Sequence, residues 1–296
     1  MPHMNILSFF FITVLSFFIY ICYLYSLNND HLNNYSQWVS ILLGILSGPL
    51  FIFYYWSYIR CSLQNPGYVT DIWRANAEEN NIRIECRKIR NYAPNVYTVC
   101  DKCDFMVRPE RAHHCSICNK CILKMDHHCP WLGTCVGEKN MKFFFLFLFY
   151  GFLITLYITL SITPTFIQSF KRNEADLPQK RYYYATLFLT FCVGITSCIL
   201  LLFMNCTYIY YISHNITVIE ISYKDKNPYD LGIYENWKMV FGEFNWRWFV
   251  PLTPKHLLQT VYLLPLNGNY SNINVVDLED SFLVDNDQHG SVDEEV

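Results

Sequence analysis

The feature that most constrains the fold of this 296-residue chain is a set of four apolar runs that contain no Asp, Glu, Lys or Arg. Each run holds about 20 residues or more, which is the length that an α-helix needs to cross the hydrocarbon core of a membrane. A soluble domain with buried helices is the alternative, but four uncharged runs of this length argue against it. The runs occupy residues 6–27, 38–59, 143–167 and 183–212.

The four runs predict an all-α polytopic membrane protein with four transmembrane helices and a Cys/His-rich domain between the second and third helices. No Lys or Arg precedes the first run and no small-residue cleavage site follows it, so we interpret it as a retained helix and not as a signal peptide. The predicted segments are a first helix at 1–27, a lumenal loop at 28–37, a second helix at 38–59, a cytosolic linker at 60–98, a cytosolic Cys/His-rich domain at 99–142, a third helix at 143–167, a second lumenal loop at 168–182, a fourth helix at 183–212 and a cytosolic C-terminal region at 213–296.

Basic residues predict how the chain is oriented in the membrane. Residues 60–142 contain thirteen Lys and Arg residues, whereas the predicted loop at 28–37 contains none. Cytosolic segments carry an excess of Lys and Arg, so we expect residues 60–142 and both termini on the cytosolic side. The C-terminal stretch 277–295 contains eight acidic residues and is predicted to be disordered.

The segment between Cys100 and Cys135 contains seven of the thirteen cysteines and four of the nine histidines. Thiols stay reduced in the cytosol, so a dense Cys/His cluster there indicates metal binding and not disulfides. The spacing repeats, and each copy supplies three thiolates and one imidazole, which is a complete tetrahedral shell for Zn²⁺. We therefore predict two interleaved structural zinc sites. The first ligand set is Cys100, Cys103, His114 and Cys121, and the second is Cys115, Cys118, His128 and Cys135.

One thiol in this segment is left over. Aligning the two copies sets Cys129 against Cys115, and Cys115 is needed as a zinc ligand whereas Cys129 is not. His127 lies two positions before Cys129, and Asp126 precedes His127. A nucleophile, a base and a group that orients the base form the arrangement of covalent catalysis. The pattern predicts Cys129 as the nucleophile, His127 as the base and Asp126 as the residue that orients His127.

At Asp126-His127-His128-Cys129 the sequence resembles the DHHC family of protein S-acyltransferases, the palmitoyltransferases. The resemblance covers roughly residues 5–250 and includes the order of four apolar runs with a cysteine-rich domain between the second and third. Four other groups of residues in that domain also match: Arg108-Pro109-Glu110-Arg111-Ala112-His113-His114-Cys115, Ile122-Leu123-Lys124-Met125, Pro130-Trp131 and Cys135-Val136-Gly137.

The resemblance implies an integral membrane enzyme of the Golgi or the endoplasmic reticulum with its active site facing the cytosol. It implies that a fatty acyl-CoA, above all palmitoyl-CoA, binds with its chain between the helices and acylates Cys129 in a thioester. A cytosolic or membrane-associated protein with a cysteine near the bilayer then takes the acyl group, and no nucleic acid takes part. Arg108, Arg111 and His113 are the predicted contacts of the CoA phosphates, by position and by family resemblance.

Three positions depart from the family pattern. Asn65-Pro66-Gly67 stands where the family usually has Asp-Pro-Gly, and Thr217-Val218-Ile219-Glu220 stands for Thr-Thr-x-Glu. Thr134 replaces an Asn just before the last zinc-binding cysteine. None of these positions is the predicted nucleophile or a zinc ligand, so the departures concern how the turn after the second helix and the C-terminal tail support the site. Asn236 matches a C-terminal family motif whose role is structural.

Two other functions are compatible with parts of the pattern. Interleaved zinc sites are also typical of RING domains, so a membrane-anchored ubiquitin ligase is one alternative. That function leaves Asp126, His127 and Cys129 unexplained, and the order of the ligands differs. A non-catalytic zinc module on a membrane scaffold or transporter is the second alternative, although the apolar runs contain no Asp, Glu, Lys or Arg that could line an ion path.

Overall fold

The structure is a computed structural model that describes residues 6–28, 36–86, 91–171 and 178–258. The acidic stretch 277–295 lies outside these ranges. Within them, four helices are long and apolar enough to cross a membrane, which confirms the predicted fold class, and each contains one of the four apolar runs. The long helices are α1 (Ile6–Asn28), α2 (Gln37–Leu63), α4 (Met141–Ser169) and α5 (Pro178–Ser213), and two shorter helices are α3 (Ile72–Glu79) and α6 (Ile233–Phe241).

Helix α4 packs against both α2 and α5 and is the most buried of the four long helices. A helix satisfies its own backbone N–H and C=O groups, which lipid cannot do, so apolar runs of this kind form helices in a membrane. Small and hydroxyl side chains let the helices approach: a Cβ added at Gly194 of α5 would lie 2.7 Å from Thr159 Oγ1 of α4. Aromatic packing joins the first two long helices, because Tyr20 of α1 stacks on Phe51 of α2 with ring centres 4.2 Å apart.

Between α2 and α4 the chain forms a small domain of short strands. A parallel pairing joins β1 to β2 and an antiparallel pairing joins β2 to β3, while β4–β5 and β6–β7 are separate antiparallel hairpins. Such short strands cannot build a large hydrophobic core, so other interactions have to order the domain. The strands are β1 (Arg83–Glu85), β2 (Val96–Cys100), β3 (Met106–Arg108), β4 (His113–Cys115), β5 (Lys120–Ile122), β6 (His127–Cys129) and β7 (Thr134–Val136).

Two asparagines attach this domain to the long helices. Asn65 Oδ1 accepts hydrogen bonds from the backbone N–H groups of Gly67 and Tyr68, at 2.8 and 2.9 Å, so the Asn that replaces the family's Asp still closes the turn after α2. Asn140 is fully buried, and its Nδ2 donates to the carbonyl oxygens of Cys61 in α2 and of Cys135 in β7. The domain is therefore tied to the end of α2 and to the start of α4.

The segment after α5 folds back onto the same end of the bundle. Lys142 in the first turn of α4 donates to the carbonyl oxygens of Arg247 and Leu252, at 2.7 and 2.8 Å. Asn236 of α6 is buried and donates to the carbonyl oxygen of Ser213 at 2.8 Å, which fits the structural role that the family resemblance implies. These three hydrogen bonds between side chain and backbone help to hold the tail against α4 and α5.

The N-terminal end of α1 also lies at this end of the bundle. The hydroxyl of Tyr58, near the end of α2, lies 3.4 Å from the carbonyl oxygen of Phe9 in α1 and 3.2 Å from that of Trp131 in the Cys/His-rich domain. The rings of Phe9 and Tyr58 stack with their centres 5.3 Å apart. The start of α1, the Cys/His-rich domain and the tail after α5 therefore share one side of the helix bundle.

Gly137, directly after β7, offers a test of how the Cys/His-rich domain is attached. A Cβ there would lie 2.5 Å from Ile122 Cγ2 and 2.7 Å from the carbonyl oxygen of Pro66, and the backbone cannot yield cheaply. We expect Gly137→Ala to lower the free energy of unfolding by about 1–3 kcal/mol through overpacking. Gly48→Ala in α2 is the control, because nothing lies within 4 Å of the added Cβ. Thermal unfolding in detergent measures both, and equal stability of the two variants would contradict the prediction.

Candidate metal centres and candidate active site

The four ligand atoms of the first predicted zinc set lie together. His114 Nδ1 is 3.7 Å from the Sγ of Cys100, 3.2 Å from that of Cys103 and 4.0 Å from that of Cys121. Around a tetrahedral zinc ion with bonds of about 2.3 Å to sulfur and about 2.0 Å to nitrogen, neighbouring ligand atoms are roughly 3.6 to 3.8 Å apart. Three thiols and one imidazole at these separations fit Zn²⁺.

The second set has the same composition and similar spacing. His128 Nδ1 is 3.6 Å from the Sγ of Cys115, 3.4 Å from that of Cys118 and 3.6 Å from that of Cys135. In each set the ligand atoms all lie within 4.8 Å of one another, which confirms the predicted pair of interleaved clusters. Bound zinc would supply folding free energy to this small domain, on the order of 10 kcal/mol per site.

The two hairpins explain why the ligands converge. His114 of β4 lies directly opposite Cys121 of β5, and His128 of β6 lies directly opposite Cys135 of β7. Side chains directly opposite in an antiparallel pair point to the same face of the sheet. Each hairpin therefore contributes one histidine and one cysteine to a site, and a Cys-x-x-Cys turn elsewhere in the domain completes it.

Cys129 belongs to neither cluster. Successive side chains of a strand alternate between its two faces, so the strand that directs His128 to the metal ligands directs His127 and Cys129 to the other face. Cys129 is 5% exposed, and hydrogen bonding with Cys129 is among the interactions that raise the pKa of His127. The spare thiol and the predicted base are thus brought together by the alternation of one short strand.

The Asp126 carboxylate contacts Nδ1 of the His127 imidazole. Asp126 is 1% exposed, and its Oδ2 lies 2.7 Å from His127 Nδ1. A carboxylate accepts hydrogen bonds, so Nδ1 carries the proton and Nε2 is the nitrogen available to Cys129. Burial would lower the pKa of His127, but the hydrogen bonds with Asp126 and Cys129 outweigh burial and raise this pKa to about 9.

Two further groups from outside the strand domain contact the same carboxylate. The Tyr208 hydroxyl, on α5, donates to Asp126 Oδ2 at 2.8 Å. The backbone N–H of Val218 donates to Oδ1 at 2.9 Å. Val218 stands where the family has its second Thr, and this contact uses the backbone, so the substitution leaves it intact. Both carboxylate oxygens of Asp126 therefore have partners, and they come from three parts of the chain.

A buried ion pair joins the Cys/His-rich domain to the tail. The Arg111 guanidinium donates to both carboxylate oxygens of Glu220, at 2.6 and 2.7 Å, and also to the side chain and carbonyl oxygen of Asn215. The two charged side chains are 2% and 1% exposed. Burial would raise the pKa of Glu220, but the Arg111 charge more than offsets burial and holds this pKa below its usual value.

The three predicted CoA contacts line one open cleft, together with the rings of Tyr92 and Tyr229. Arg108 Nε donates to Thr98 Oγ1 at 2.7 Å. Burial, together with the neighbouring Arg108 and Arg111 charges, outweighs the Glu220 charge and lowers the pKa of His113 to about 4, so this imidazole is neutral at pH 7. For Arg111, a contact with CoA would require its guanidinium to leave Glu220. These CoA contacts stay predictions.

Comparison with known proteins addresses the same segment. The family model for DHHC palmitoyltransferase matches residues 93–225. Probable protein S-acyltransferase 13 of Arabidopsis thaliana is 36% identical over 221 residues, which cover 72% of this chain and 73% of that protein. The chain belongs to the DHHC palmitoyltransferase family. Two further relatives agree. Palmitoyltransferase ZDHHC15 of Homo sapiens is 33% identical over 239 residues, which cover 72% of this chain and 68% of that protein. Palmitoyltransferase ZDHHC2 of Danio rerio is 30% identical over 266 residues, which cover 82% of this chain and 72% of that protein.

The enzyme class of this DHHC protein is protein S-palmitoyltransferase, as the names of these relatives support. The family assignment disfavours both alternatives raised by the sequence, the RING-type ubiquitin ligase and the non-catalytic zinc scaffold. It also agrees with the geometry, because neither alternative requires a thiol, an imidazole and a carboxylate in sequence beside the metal ligands.

Sequence reasoning missed most of the groups that support the DHHC motif from outside. Tyr208 lies in a uniformly apolar and aromatic helix, where nothing in the pattern marks one tyrosine among several. Asn215, which contacts Arg111, precedes the recognised Thr-Val-Ile-Glu stretch without a signal of its own. The buried pair of Arg111 and Glu220 could have been suspected, since both residues belong to family motifs, but their 109-residue separation gives no hint of contact.

The ligand assignment predicts different metal contents for two cysteine variants of this DHHC protein. Cys103→Ser removes one ligand of the first cluster and should lose about one zinc per chain, with a loss of stability. Cys129→Ser should retain both zinc ions because its thiol lies outside both clusters. Elemental analysis of the purified variants measures this. Equal zinc loss from Cys129→Ser would show that the ligand assignment is wrong.

The Arg111–Glu220 pair predicts a large loss of stability for Glu220→Gln. The substitution leaves a buried guanidinium without its counter-charge, which costs about 3–5 kcal/mol. Because the folded-state pKa of Glu220 is lowered, the pair stabilises the protein above pH about 4.3 and loses this effect as the pH falls through the lowered value.

Glu243→Gln is the matched control for that variant. It removes the carboxylate 2.7 Å from the Lys238 ammonium, but this pair is exposed and solvent screens it. At pH 7 the thermal unfolding temperature of Glu220→Gln should therefore lie clearly below that of the wild type, whereas that of Glu243→Gln should stay close to the wild-type value. A small shift for Glu220→Gln would mean that Asn215 alone satisfies the Arg111 guanidinium.

Proposed function

We propose that this protein moves a fatty acyl group, palmitoyl above all, from acyl-CoA to cysteine thiols of proteins through an acyl thioester on Cys129. One observation carries the proposal. Cys129 belongs to neither metal cluster, and it shares a strand face with the His127 imidazole, whose Nδ1 lies 2.7 Å from the buried Asp126 carboxylate. That arrangement suits nucleophilic catalysis by a thiol.

In the first step His127 Nε2 takes the proton of the Cys129 thiol, and the raised pKa of His127, about 9 beside Asp126 and Cys129, favours the resulting imidazolium and thiolate at pH 7. The resulting thiolate sulfur attacks the carbonyl carbon of the acyl-CoA thioester, the bond from that carbon to the CoA sulfur breaks, and the departing CoA thiolate takes the proton back from the imidazolium. A free cysteine thiol is mostly protonated at pH 7, so an adjacent base is needed for the attack. Asp126 keeps the imidazole in the required tautomer and stabilises its charged form.

The second step repeats the same exchange with a different thiol. A cysteine of the protein substrate gives its proton to His127, and its sulfur attacks the carbonyl carbon of the acyl group on Cys129. The bond to the Cys129 sulfur breaks, and that sulfur regains a proton from His127. Zinc bound in the second cluster, through the neighbouring His128, would hold the strand that carries the thiol rigid.

The position of Cys129 at the end of the helix bundle suits a lipid substrate. Cys129 belongs to one buried apolar cluster with Tyr58 of α2, Phe143 and Phe144 of α4, and Tyr208 of α5. Burying a sixteen-carbon chain gains about 0.8 kcal/mol per methylene, on the order of 10 kcal/mol in all. Helices in a bilayer can surround such a chain while the thioester stays at their end, where a second thiol can approach.

The polar part of the substrate needs a separate surface. Arg108 and His113 line the open cleft next to the strand domain, and a neutral His113 can donate a hydrogen bond to a phosphate oxygen. Nε2 of His113 is buried and has no hydrogen-bond partner within the described part of the chain. These features support the cleft as the place where the CoA phosphates bind, with Arg111 as a third contact only if its ion pair opens.

The basic residues of the strand domain support a cytosolic active site, with both chain termini on the same side and the enzyme in a Golgi or endoplasmic reticulum membrane. The start of α1, the strand domain and the tail share one end of the bundle, as an even number of crossings requires. Protein substrates would be cytosolic or membrane-associated and would present a cysteine near the bilayer surface.

A labelling experiment tests the proposed intermediate. Purified protein incubated with an alkyne analogue of palmitoyl-CoA should take up about one label per chain, on Cys129, and hydroxylamine should release it because a thioester is cleaved by this reagent. Cys129→Ser should take up none while it retains two zinc ions. Detection by fluorophore coupling and peptide mapping identifies the labelled residue.

Cys86→Ser is the matched control, because Cys86 is exposed and lies outside both clusters. It should label like the wild type. A zinc-loaded wild-type protein that takes up no label, or Cys129→Ser that labels fully, would contradict the thioester mechanism.

A further inference from the structure

We propose that Tyr208 is a positioning residue for the acyl-transfer reaction, acting through Asp126 on the His127 imidazole. This inference rests on the proposed function of Cys129, His127 and Asp126. The Tyr208 hydroxyl donates to the same carboxylate oxygen, Oδ2 of Asp126, that accepts from His127 Nδ1. It therefore sets where the oxygen that orients the base is located.

Asp126 Oδ2 lies within hydrogen-bonding distance of two donors that are also close to each other. Tyr208 Oη lies 2.8 Å from Asp126 Oδ2 and 3.3 Å from His127 Nδ1, so the three polar atoms form a triangle. The proton on Nδ1 points to the carboxylate, since an unprotonated Nδ1 would face a negative charge at 2.7 Å. The Tyr208 proton then has Oδ2 as its acceptor, and both donors stabilise the ionised carboxylate.

Burial strengthens the hydrogen bond that the Tyr208 hydroxyl donates to Asp126. Tyr208 is 2% exposed and Asp126 is 1% exposed, and the Phe144 ring contacts both Tyr208 and His127, at 4.8 and 5.3 Å between ring centres. In such apolar surroundings a hydrogen bond to a charged group is stronger than in water, and a carboxylate that loses a donor is costly. With the hydroxyl gone, Oδ2 would keep His127 as its single side-chain donor within the described part of the chain.

The remaining contacts on Asp126 do not duplicate that of Tyr208. The Val218 N–H donates to the other oxygen, Oδ1, and fixes one end of the carboxylate. Rotation about the Cβ–Cγ bond moves both oxygens together, and a hydrogen bond to Oδ2 opposes this rotation in addition to the one to Oδ1. Tyr208 supplies this restraint from α5, 82 residues away in the chain, so a membrane helix takes part in orienting the base.

Tyr208→Phe isolates the hydroxyl, because the ring that packs on Phe144 is kept. We expect the rate constant for acylation of Cys129 by the alkyne analogue of palmitoyl-CoA to fall about tenfold or more, the effect of a lost hydrogen bond to a charged group. The acyl-CoA concentration at half-saturation should be unchanged, because Tyr208 acts on the base and not on the substrate. Zinc content should stay at two per chain.

Tyr157→Phe is the matched control for loss of a tyrosine hydrogen bond within the helices. The Tyr157 hydroxyl donates to the carbonyl oxygen of Leu43 at 2.9 Å, far from Asp126 in the fold. Its loss should leave the acylation rate constant at the wild-type value. An equal fall for Tyr157→Phe and Tyr208→Phe would assign the effect to helix packing and overturn the inference.

A double-variant experiment separates positioning from general destabilisation. Alkylation of Cys129 by iodoacetamide, followed by peptide mass spectrometry, reports thiol reactivity without acyl-CoA and can be measured in every variant. If Tyr208 acts through Asp126, Tyr208→Phe should slow alkylation in the wild-type background and have no further effect in Asp126→Asn. Additive effects of the two substitutions would overturn the inference.

The outcomes distinguish this inference from the proposed function. A wild-type protein that takes up no acyl label overturns the thioester mechanism itself. Wild-type labelling together with an unchanged rate constant for Tyr208→Phe overturns the positioning role of Tyr208 and leaves the mechanism standing.

Discussion

In both hairpins of the strand domain a histidine lies directly opposite a cysteine, and the two side chains point to one face as metal ligands. The strands are three residues long and could not persist on backbone hydrogen bonds alone, so the two ligand clusters are the constraint on which the domain depends. Along β6, successive side chains alternate between the two faces of the strand. With His128 directed to the metal ligands, His127 and Cys129 must share the opposite face, so the proposed nucleophile and its proposed base come together within one short strand.

The Asp126 carboxylate is where the separate parts of the molecule meet. Its partners are the His127 imidazole, the hydroxyl of Tyr208 on α5 and the N–H of Val218 in the tail. A few residues on, Glu220 of the same tail binds the Arg111 guanidinium in a buried ion pair. The departures from the family pattern leave these contacts in place, because Val218 contributes its backbone and Asn65 retains the oxygen that closes the turn after α2. The site therefore depends on the tail and a membrane helix as much as on the zinc-binding strands.

The surroundings of Cys129 fit the proposed substrate, in which a fatty chain is joined to the water-soluble CoA. Cys129 packs among aromatic residues at the end of α2, α4 and α5, whereas Arg108 and His113 line an open cleft on the strand domain. The thiol thus lies between apolar helices and a polar surface. The family shown by the comparisons is one of palmitoyltransferases, and the proposed transfer of a fatty chain from acyl-CoA would use both environments.

Sequence alone determined the four long helices, the eight metal ligands and the single unused thiol, because each rests on a local rule: the length of an uncharged run, the spacing of Cys and His, and a subtraction within one short segment. Tertiary structure alone decided which distant groups complete the site. Tyr208 resembles its aromatic neighbours in α5, and Arg111 resembles any surface cation until Glu220 is placed against it. Hydrogen bonds between residues 82 and 109 positions apart follow from how helices and tail pack, and packing has no periodicity that a sequence displays.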